Sequence, residues 1–394
     1  MSEKLPHIPR SRGDDDWSRP ALEARLDVWE KASGTRPRHV GGDPVPPESA
    51  RGKIENLVGF AQIPLGIAGP LRVDLTVGRR EVYVPMATTE GALVASHSRG
   101  MRLLAEGGWV RARVLGEGLT QNPILVYRNA EEAHAAGEKA LAYADELAAI
   151  VKRTTNHGSL VALRPEAIGR RLILSLVFRT GDAIGINMAA RAAELVSAEL
   201  AARTNALERY VHGQDVEKRA SARSFVEGRG RRAVADATIP RAALEALART
   251  TPEKMVAALR TYTVGFAQLG TQNWLVQAAN GIAAVFLACG QDVAYVTESA
   301  TGMLDFEVTP AGDLYASVHL PSLLVGTVGG GSGQGTAAEC LDLLGVRGAG
   351  GANTLAEILA ATVLAGDLSL MAAFTAHEFV EAHERLGRNR PPAV

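Results

Sequence analysis

Apolar residues recur at helical spacing near the start of the chain, inside a segment that is otherwise rich in Pro, Arg and Asp. Leu22, Leu26 and Trp29 follow this spacing within the stretch RPALEARLDVWEKAS, which predicts an amphipathic helix. Because Pro and charged residues dominate on both sides of it, we expect residues 1–50 to form an N-terminal arm with one helix.

Gly and Pro then interrupt short apolar runs between residues 55 and 75, a pattern that favours strands and tight turns. Thr88 and Thr89 can cap a helix, which we expect to begin near Glu90 and to end at about Glu106. The remainder of the chain alternates Ala-rich helices with Gly-rich turns. It closes on a long apolar helix predicted from about residue 354 to residue 386.

The pattern between residues 123 and 211 differs from that on either side. Strand-like and helix-like segments alternate there, in the order ILVYR, AEEAHAAGEKALAYADELAAIVKRT, RRLILSLVFRT and NMAARAAELVSAELAARTNALERYV. Strand, helix, strand and helix in about 90 residues suit a small ferredoxin-like α+β module. We therefore expect residues 123–211 to be inserted in a larger domain made of residues 51–122 and 212–394.

Composition indicates an ordinary globular protein, with 46% hydrophobic and 22% charged residues in a chain of 394. The formal net charge is −1, and the Arg-rich run 229–232 is only local. Nucleic-acid-binding proteins usually carry a clear basic excess, so this balance argues against a nucleic-acid partner.

The cysteines and the apolar runs indicate the cellular compartment in which the protein functions. Cys289 and Cys340 lie among apolar or small residues, which favours buried thiols in a reducing cytosol, although a single disulfide stays open. No uninterrupted apolar run reaches the ~18 residues that cross a bilayer, and the polar start is no signal peptide. We expect a soluble, cytoplasmic protein without a membrane partner.

Six segments resemble the catalytic domain of the 3-hydroxy-3-methylglutaryl-CoA (HMG-CoA) reductases. They are ENLVGFAQIPLGIAGPL, VPMATTEGALVASHSRG, TGDAIGINM, ACGQD, PSLLVGTVGGGSG and LAGDLSLMAA, in the family's order. The resemblance implies an α+β fold, with an HMG-CoA reductase-like large domain and an inserted small ferredoxin-like nucleotide-binding domain. It also implies NAD(P)H-dependent reduction of an acyl-CoA thioester to an alcohol.

Four ionisable residues within or beside these motifs form a set that can handle protons during such a reduction. The resemblance assigns oxyanion stabilisation to Lys218, tuning of that lysine to Asp292, proton relay to Glu90 and protonation of the CoA thiolate to His383. We expect Glu90, Lys218 and Asp292 to form one coupled cluster.

Each of these residues also has an ordinary interpretation. Without the resemblance, Glu90 reads as a helix-capping glutamate, Lys218 as a solvated lysine and Asp292 as a turn aspartate. His377 and Glu381 are four residues apart, but HEFVEAH lacks the HExxH pattern and offers no third ligand, so no metal is expected.

The segment TGDAIGINM resembles the family's dinucleotide-binding motif, at a strand-to-helix turn whose amides can approach phosphates. The residues assigned to the nucleotide are Asp182, Ala183, Gly185, Asn187, Asn156 and Arg388. NADPH is expected, with NADH left open, because Arg388, Arg153 or Arg191 could compensate for an arginine missing near Asn156. A second glycine pattern, Gly333-x-Gly335-x-x-Ala338, is interpreted as close backbone packing beside the acyl pocket.

For CoA, Ser96, Arg99 and Arg102 share roughly one helix face, where two arginines can hold phosphates unless they are simply solvated. The resemblance places four more side chains at the acyl group: Gln121, Arg219, Arg260 and Asn280. Gln121 stands where the family pattern has arginine, and Val211 where serine is usual.

Three functions are therefore compatible with the sequence. The first is reduction of HMG-CoA to mevalonate and CoA through a hemithioacetal and an aldehyde. Gln121 and Val211 motivate the second, a specialised-pathway homologue that reduces a different acyl thioester. The third is a non-catalytic binding or regulatory homologue. The resemblance of the ENLVG segment further implies a homodimer with shared active sites, or a higher oligomer of dimers.

Overall fold

The computed structural model describes residues 5–10, 16–155, 157–212 and 216–376. The helices of these residues are α1 (Arg19–Ser33), α2 (Leu93–Glu106), α3 (Ala130–Ala142), α4 (Ala144–Thr154), α5 (Ile186–Thr204), α6 (Ala222–Glu227), α7 (Arg241–Ala248), α8 (Pro252–Gln268), α9 (Ala278–Ala288), α10 (Val296–Ser299), α11 (Gly335–Leu343) and α12 (Ala352–Thr375). Short 3-10 helices span Pro47–Ala50 and Val293–Tyr295.

The strands are β1 (Leu65–Leu75), β2 (Gly78–Ala87), β3 (Val110–Gln121), β4 (Ile124–Val126), β5 (Ser159–Ile168), β6 (Arg171–Arg179), β7 (Glu208–Tyr210), β8 (Gly230–Ile239), β9 (Met303–Val308) and β10 (Leu314–Leu323). They form one connected sheet with the path β7-β4-β6-β3-β8-β10-β9. Off this path β1 lies beside β3 and β2, and β5 lies beside β6. The mixture of helix and sheet confirms the α+β class.

The arm helix α1 has the bounds that the apolar spacing predicts. Ser18 caps its first turn by accepting from the Ala21 N–H, and Gly34 ends it in a left-handed conformation with φ of 75°. Leu26 and Trp29 are buried, whereas Leu22 is exposed. The helix therefore packs through only part of its predicted apolar face.

Residues 124–210 follow the order β4, α3, α4, β5, β6, α5, β7. Their strands lie in the spatial order β7-β4-β6-β5 with antiparallel pairing throughout, which is the arrangement of a ferredoxin-like module. Leu119 and Gln121 of β3 pair with β6 and join this module to the rest of the sheet.

Three details of this region differ from the sequence-based expectation. The predicted first helix is broken at Tyr143 into α3 and α4, and the last one ends at Asn205, which has a φ of 55°. The strand β5 was not predicted, because it pairs only with β6 and leaves many of its side chains exposed, so no buried apolar run marks it.

Helix α12 lies at the centre of the large domain. It packs against α2, α8 and α9 on one side and against β3, β8 and β10 on another. By length and hydropathy it could cross a membrane, but 83% of its apolar window is buried inside the protein, as expected for a core helix. It begins at Ala352, close to the prediction, and the predicted continuation past residue 376 lies outside the described residues.

Candidate active site

Lys218 lies in the segment between β7 and α6, in a left-handed backbone conformation with φ of 62°. This conformation is strained for a residue with a side chain and persists only where neighbours impose it. Here the Lys218 backbone N–H donates to a carboxylate oxygen of Glu298. The side chain is 48% exposed, and its Nζ lies 5.2 Å from the centroid of the Tyr295 ring. The backbone of Lys218 is thus fixed, while its ammonium group remains accessible.

Arg229 and Glu298 form a fully buried ion pair beneath Lys218. Arg229 Nη1 donates to both Glu298 oxygens at 2.9 and 3.1 Å, and its Nε donates to the Thr120 carbonyl oxygen at 3.3 Å. Burial raises the pKa of Glu298, and the Arg229 charge opposes that shift. Removing one partner of such a pair leaves an uncompensated buried charge, so Arg229 and Glu298 hold each other in place. Glu298 in turn supports the Lys218 backbone, because it accepts the Lys218 N–H.

Asp292 follows α9 and Gly290, and its carboxylate accepts from the Ala294 N–H at 3.0 Å. It therefore caps the short helix 293–295, the ordinary role considered for it in the sequence. Nζ of Lys218 has its ion-pair contact with Glu217 at 3.9 Å. Within the described residues, Asp292 is not the carboxylate that pairs with Lys218, in contrast to the expected cluster.

Glu90 precedes the helix that it was expected to begin, because Ala92 adopts a left-handed conformation and α2 starts at Leu93. Its N–H donates to Thr88 Oγ1 at 3.0 Å. Its carboxylate accepts from Asn280 Nδ2 at 3.2 Å. The structure thus brings together Glu90 and Asn280, which the sequence had assigned separately to catalysis and to the acyl group.

The two groups of candidate residues lie at opposite ends of α9. Asn280 is in its first turn, whereas Asp292 comes after its last residue, Ala288. A helix rises 1.5 Å per residue, so the path from Asn280 to Ala288 covers roughly 12 Å. Glu90 therefore sits beside one end of α9, and Asp292, Tyr295 and Lys218 beside the other.

The dinucleotide motif forms the turn between β6 and α5. Gly185 precedes α5 with φ of 83°, and no side chain caps the first turn. Asn187 in that turn is exposed, and the carbonyl oxygen of Ala183 accepts from Thr180 Oγ1 at 2.9 Å. An uncapped helix N-terminus presents amide groups suited to an anion.

Asp182 of the same motif is engaged within the protein. Its carboxylate accepts from the N–H groups of Gly350 at 2.8 Å and Ala352 at 3.1 Å, at the start of α12. The buried Arg231 adds a second link, because its guanidinium donates to the Gly181 carbonyl oxygen and, at 2.7 Å, to Asn353 Oδ1 in the first turn of α12. The nucleotide turn is thereby fastened to the first turn of the core helix.

The Gly-rich loop 326–335 packs closely against two backbone segments. A Cβ on Gly326 would lie 2.7 Å from the Ile184 nitrogen, and one on Gly331 would lie 2.5 Å from the Gly290 carbonyl oxygen. Gly333 has no atom within 4 Å of such a position. A Cβ on Gly335 would lie 2.9 Å from the Val45 side chain. Close approach to another backbone is therefore a property of Gly326 and Gly331, which lie outside the Gly333-x-Gly335-x-x-Ala338 pattern.

Two of the three residues assigned to CoA form hydrogen bonds with other residues of the large domain. Arg99 donates from Nε to Ser369 Oγ at 2.9 Å and from Nη2 to the Ser369 carbonyl oxygen at 2.6 Å. Ser96 Oγ lies 3.2 Å from Ser369 Oγ and accepts from Gln277 Nε2 at 3.2 Å. Arg102 is exposed. The first two side chains hold α2 against α12, so Arg102 alone of the three is exposed.

Gln121 at the end of β3 is 3% exposed, and its Nε2 has no hydrogen-bond partner among the described residues. Val211 is also buried, while Arg219 and Arg260 are exposed.

Asn156, His383 and Arg388 lie outside the described residues. Residues 5–10, 16–155, 157–212 and 216–376 contain no group of three or more His, Cys, Asp or Glu side chains placed to hold a metal ion.

The sequence analysis missed the residues that support Lys218. Glu298 and Tyr295 lie about 80 positions further along the chain, and Arg229 belongs to an Arg-rich run that resembles a surface patch. The one available signal was the EGRG segment around Arg229, where glycines flank a single arginine.

Comparison with known proteins gives one consistent result. The family described as hydroxymethylglutaryl-coenzyme A reductase matches residues 21–388. The 3-hydroxy-3-methylglutaryl-coenzyme A reductase of Pyrococcus horikoshii is 39% identical over 93% of this chain and 92% of its own length. The protein of the same name from Haloferax volcanii is 42% identical over 93% of both chains. A class II reductase from Streptococcus pneumoniae, solved bound to NADPH in open conformations, matches with a TM-score of 0.72 at 20% identity, covering 92% of this chain and 99% of that one.

Proposed function

Because the chain belongs to the hydroxymethylglutaryl-coenzyme A reductase family, we propose that it reduces HMG-CoA to mevalonate and free CoA with NADPH. The observation that carries the proposal is the presentation of Lys218. Its backbone is held by a buried ion pair while its ammonium remains accessible. A preorganised cation at a developing oxyanion is often the largest contribution to such catalysis.

The reaction requires two hydride transfers. The first converts the thioester carbonyl to a hemithioacetal, which breaks down to an aldehyde and the CoA thiolate, and the second converts the aldehyde to the alcohol. Lys218 stabilises the oxyanion that forms in each transfer. Glu90, oriented by Asn280, supplies the proton that the alkoxide takes up. His383, which lies outside the described residues, is proposed to protonate the thiolate, as the family resemblance implies.

NADPH is proposed to bind at the α5 turn. The uncapped first turn of α5 offers amide donors to the pyrophosphate, and the related reductase from Streptococcus pneumoniae was solved with NADPH. The proposal includes contacts from Ala183, Gly185, Asn187, Asn156 and Arg388, with Asp182 fixing the turn. Comparing kcat/KM for NADPH and NADH tests it, and a preference for NADH of about tenfold or more would overturn this choice.

A second candidate is reduction of a different acyl thioester. It rests on Gln121, a buried neutral amide that carries no positive charge for a carboxylate. A kcat/KM for HMG-CoA of about 10⁴ M⁻¹s⁻¹ or higher would argue strongly against this candidate.

A homodimer with shared active sites is supported by the separation of Glu90 from Lys218 along α9. The segment 51–64 also supports it, because it carries the exposed apolar side chains of Ile54, Val58, Phe60 and Ile63, and unpaired apolar surface of this kind marks interaction sites. A second copy would cover this surface and bring its own Lys218 towards Glu90 of the first. We also propose a cytoplasmic location, in keeping with two buried, unpaired cysteines.

The oligomer proposal is tested by mixing two inactive variants, Glu90→Gln and Lys218→Met, under conditions that exchange subunits. If each site takes Glu90 from one copy and Lys218 from the other, random mixing should restore about a quarter of the wild-type activity. No restoration after proven exchange would place both residues in one chain.

The activity itself is tested by following NAD(P)H oxidation with HMG-CoA and with a panel of other acyl-CoA thioesters. The matched pair Lys218→Met and Lys139→Met separates loss of the reacting cation from loss of any lysine, because Lys139 is an exposed residue of α3. We expect turnover to disappear only in the first variant, without a change in melting temperature. Wild-type protein that oxidises neither cofactor with any thioester would refute the enzymatic function and favour a binding role.

A further inference from the structure

Tyr295 contacts both Lys218 and the carboxylate beside it. The ring centroid lies 5.2 Å from Lys218 Nζ, within the range of a cation–π interaction. The hydroxyl donates to Glu217 Oε1, and the same oxygen is 3.9 Å from Lys218 Nζ. One tyrosine therefore lies under the cation and binds the nearest competing anion.

Glu217 is held from a second side as well. Arg229 Nη2 lies 3.4 Å from Glu217 Oε2, so each carboxylate oxygen has its own donor. Burial and the hydrogen bond to Glu217 both raise the pKa of Tyr295, so its hydroxyl stays protonated at neutral pH and keeps donating. Glu217 is thus kept at the limit of ion-pair distance from Lys218 instead of in close contact.

The other charged residues near the Lys218 ammonium are engaged in contacts elsewhere. Glu298 accepts the Lys218 backbone N–H and pairs with Arg229, while Asp292 caps the short helix that carries Tyr295. Arg219 donates to the Glu217 carbonyl oxygen at 3.1 Å. Among the described carboxylates that approach Lys218, Glu217 is therefore the one whose small movement would neutralise the ammonium.

We propose that Tyr295 is a positioning residue for Lys218: its ring seats the ammonium, and its hydroxyl holds the Glu217 carboxylate away, so that the positive charge stays available to a substrate oxyanion. The kinetic consequence rests on the proposed reductase function. The placement of Tyr295, Glu217 and Lys218 does not depend on it.

The kinetic test uses a double-mutant cycle. Tyr295→Phe keeps the ring and releases Glu217, so we expect kcat to fall about tenfold or more while KM for the acyl-CoA changes by less than about twofold. Adding Glu217→Gln removes the released negative charge, so the double variant should recover most of that loss. Tyr315→Phe, on β10, is the matched control and should behave as wild type.

Tyr295→Phe with wild-type kcat would overturn the proposal. So would a double variant whose loss equals the product of the two single losses, because independent effects combine in that way. A merely structural hydroxyl would lower stability without producing this recovery, so melting temperatures of all variants are measured in parallel.

A second readout is independent of activity. The chain contains only seven lysines, so reductive ¹³C-methylation followed by NMR can resolve Lys218, assigned through Lys218→Arg. We expect its methyl signal to be shifted upfield by the Tyr295 ring, retained in Tyr295→Phe and lost in Tyr295→Leu, or in Tyr295→Met should the leucine variant not fold. A signal unchanged by loss of the ring would overturn the seating. Wild-type protein without reductase activity would refute the proposed function alone, and this signal would still decide the placement.

Discussion

Asn280 Nδ2 donates to Oε1 of Glu90 at 3.2 Å, across a separation of 190 positions in the chain. The start of α9, which carries Asn280, is itself anchored, because the buried Asp367 accepts from the N–H groups of Val276 and Gln277 at 3.1 and 2.9 Å. The orientation of the Glu90 carboxylate therefore depends on the core helix α12 through α9.

Replacing Glu90 by glutamine should preserve its shape and the hydrogen bond from Asn280 but remove its acidity. We expect kcat to fall about 10²-fold or more, in line with the loss of a general acid–base group. Asn280→Ala should have a smaller effect, about tenfold, because the carboxylate survives without its orienting donor. Steady-state kinetics measures both effects, and Glu131→Gln, at an exposed residue of α3, is the control. An unchanged kcat in Glu90→Gln would remove this residue from the mechanism.

Gly100 marks the closest approach of α2 and α12. A Cβ at this position would overlap the carbonyl oxygen of Ala365, so Gly100→Ala should destabilise the fold by about 3 kcal/mol or more. Gly265→Ala in α8 is the matched control, because nothing lies within 4 Å of its added Cβ. It should be neutral or stabilising by ~0.5 kcal/mol. Urea midpoints measure both changes, and equal midpoints for the two variants would contradict the packing argument.

His97 should make the stability of the protein depend on pH. It is fully buried between Gly281 and Gly366, its Nε2 lacks a partner among the described residues, and burial lowers its pKa to about 4. The unfolded chain binds a proton near pH 6.5, whereas the folded protein binds it only near pH 4, so stability falls as pH falls between these values. The total loss is about 3 kcal/mol.

The measurement compares urea unfolding of wild type and His97→Leu from pH 4 to pH 7.5. The difference between the two curves isolates His97 from Asp367, whose pKa burial raises to about 7. Asp367 acts with the opposite sign, because its contribution is present below its unfolded value and is lost as pH rises through 7. Parallel curves for the two proteins would show that His97 does not titrate in this interval.

Asp182 is predicted to act on the nucleotide through the protein rather than by direct contact. Asp182→Ala removes the acceptor of two N–H groups at the start of α12, so stability should fall by ~2 kcal/mol. KM for the nucleotide should rise while KM for the acyl-CoA stays constant. Asp182→Asn keeps one acceptor and should recover part of both losses. A higher nucleotide KM at unchanged stability would instead indicate direct contact.

Local features of the fold were predictable where the signal lies within a few residues. The bounds of α1 follow from its apolar spacing, with Ser18 and Gly34 as caps. The later start of α2 was not predictable, because it depends on the left-handed conformation of Ala92, a residue type with no preference for it. The break at Tyr143 contains neither Gly nor Pro, so no residue type there signals it.

The candidate site shows the same division. Motifs named Glu90 and Lys218 as candidates, but they could not reveal that Glu298 holds the Lys218 backbone or that Asn280 binds Glu90, since these contacts join distant parts of the chain. The Arg-rich run 229–232 likewise gave no sign that Arg229 is fully buried with its carboxylate partner. Burial of a charge depends on a partner that the local sequence does not show.

The central position of α12 has a consequence for biosynthesis. This helix packs against strands and helices formed by residues up to some 280 positions earlier. Until α12 has emerged from the ribosome, β3, β8 and β10 therefore lack the apolar partner that covers them. The large domain can complete its core only after α12 has been synthesised, and until then its nascent form offers chaperones an uncovered apolar sheet.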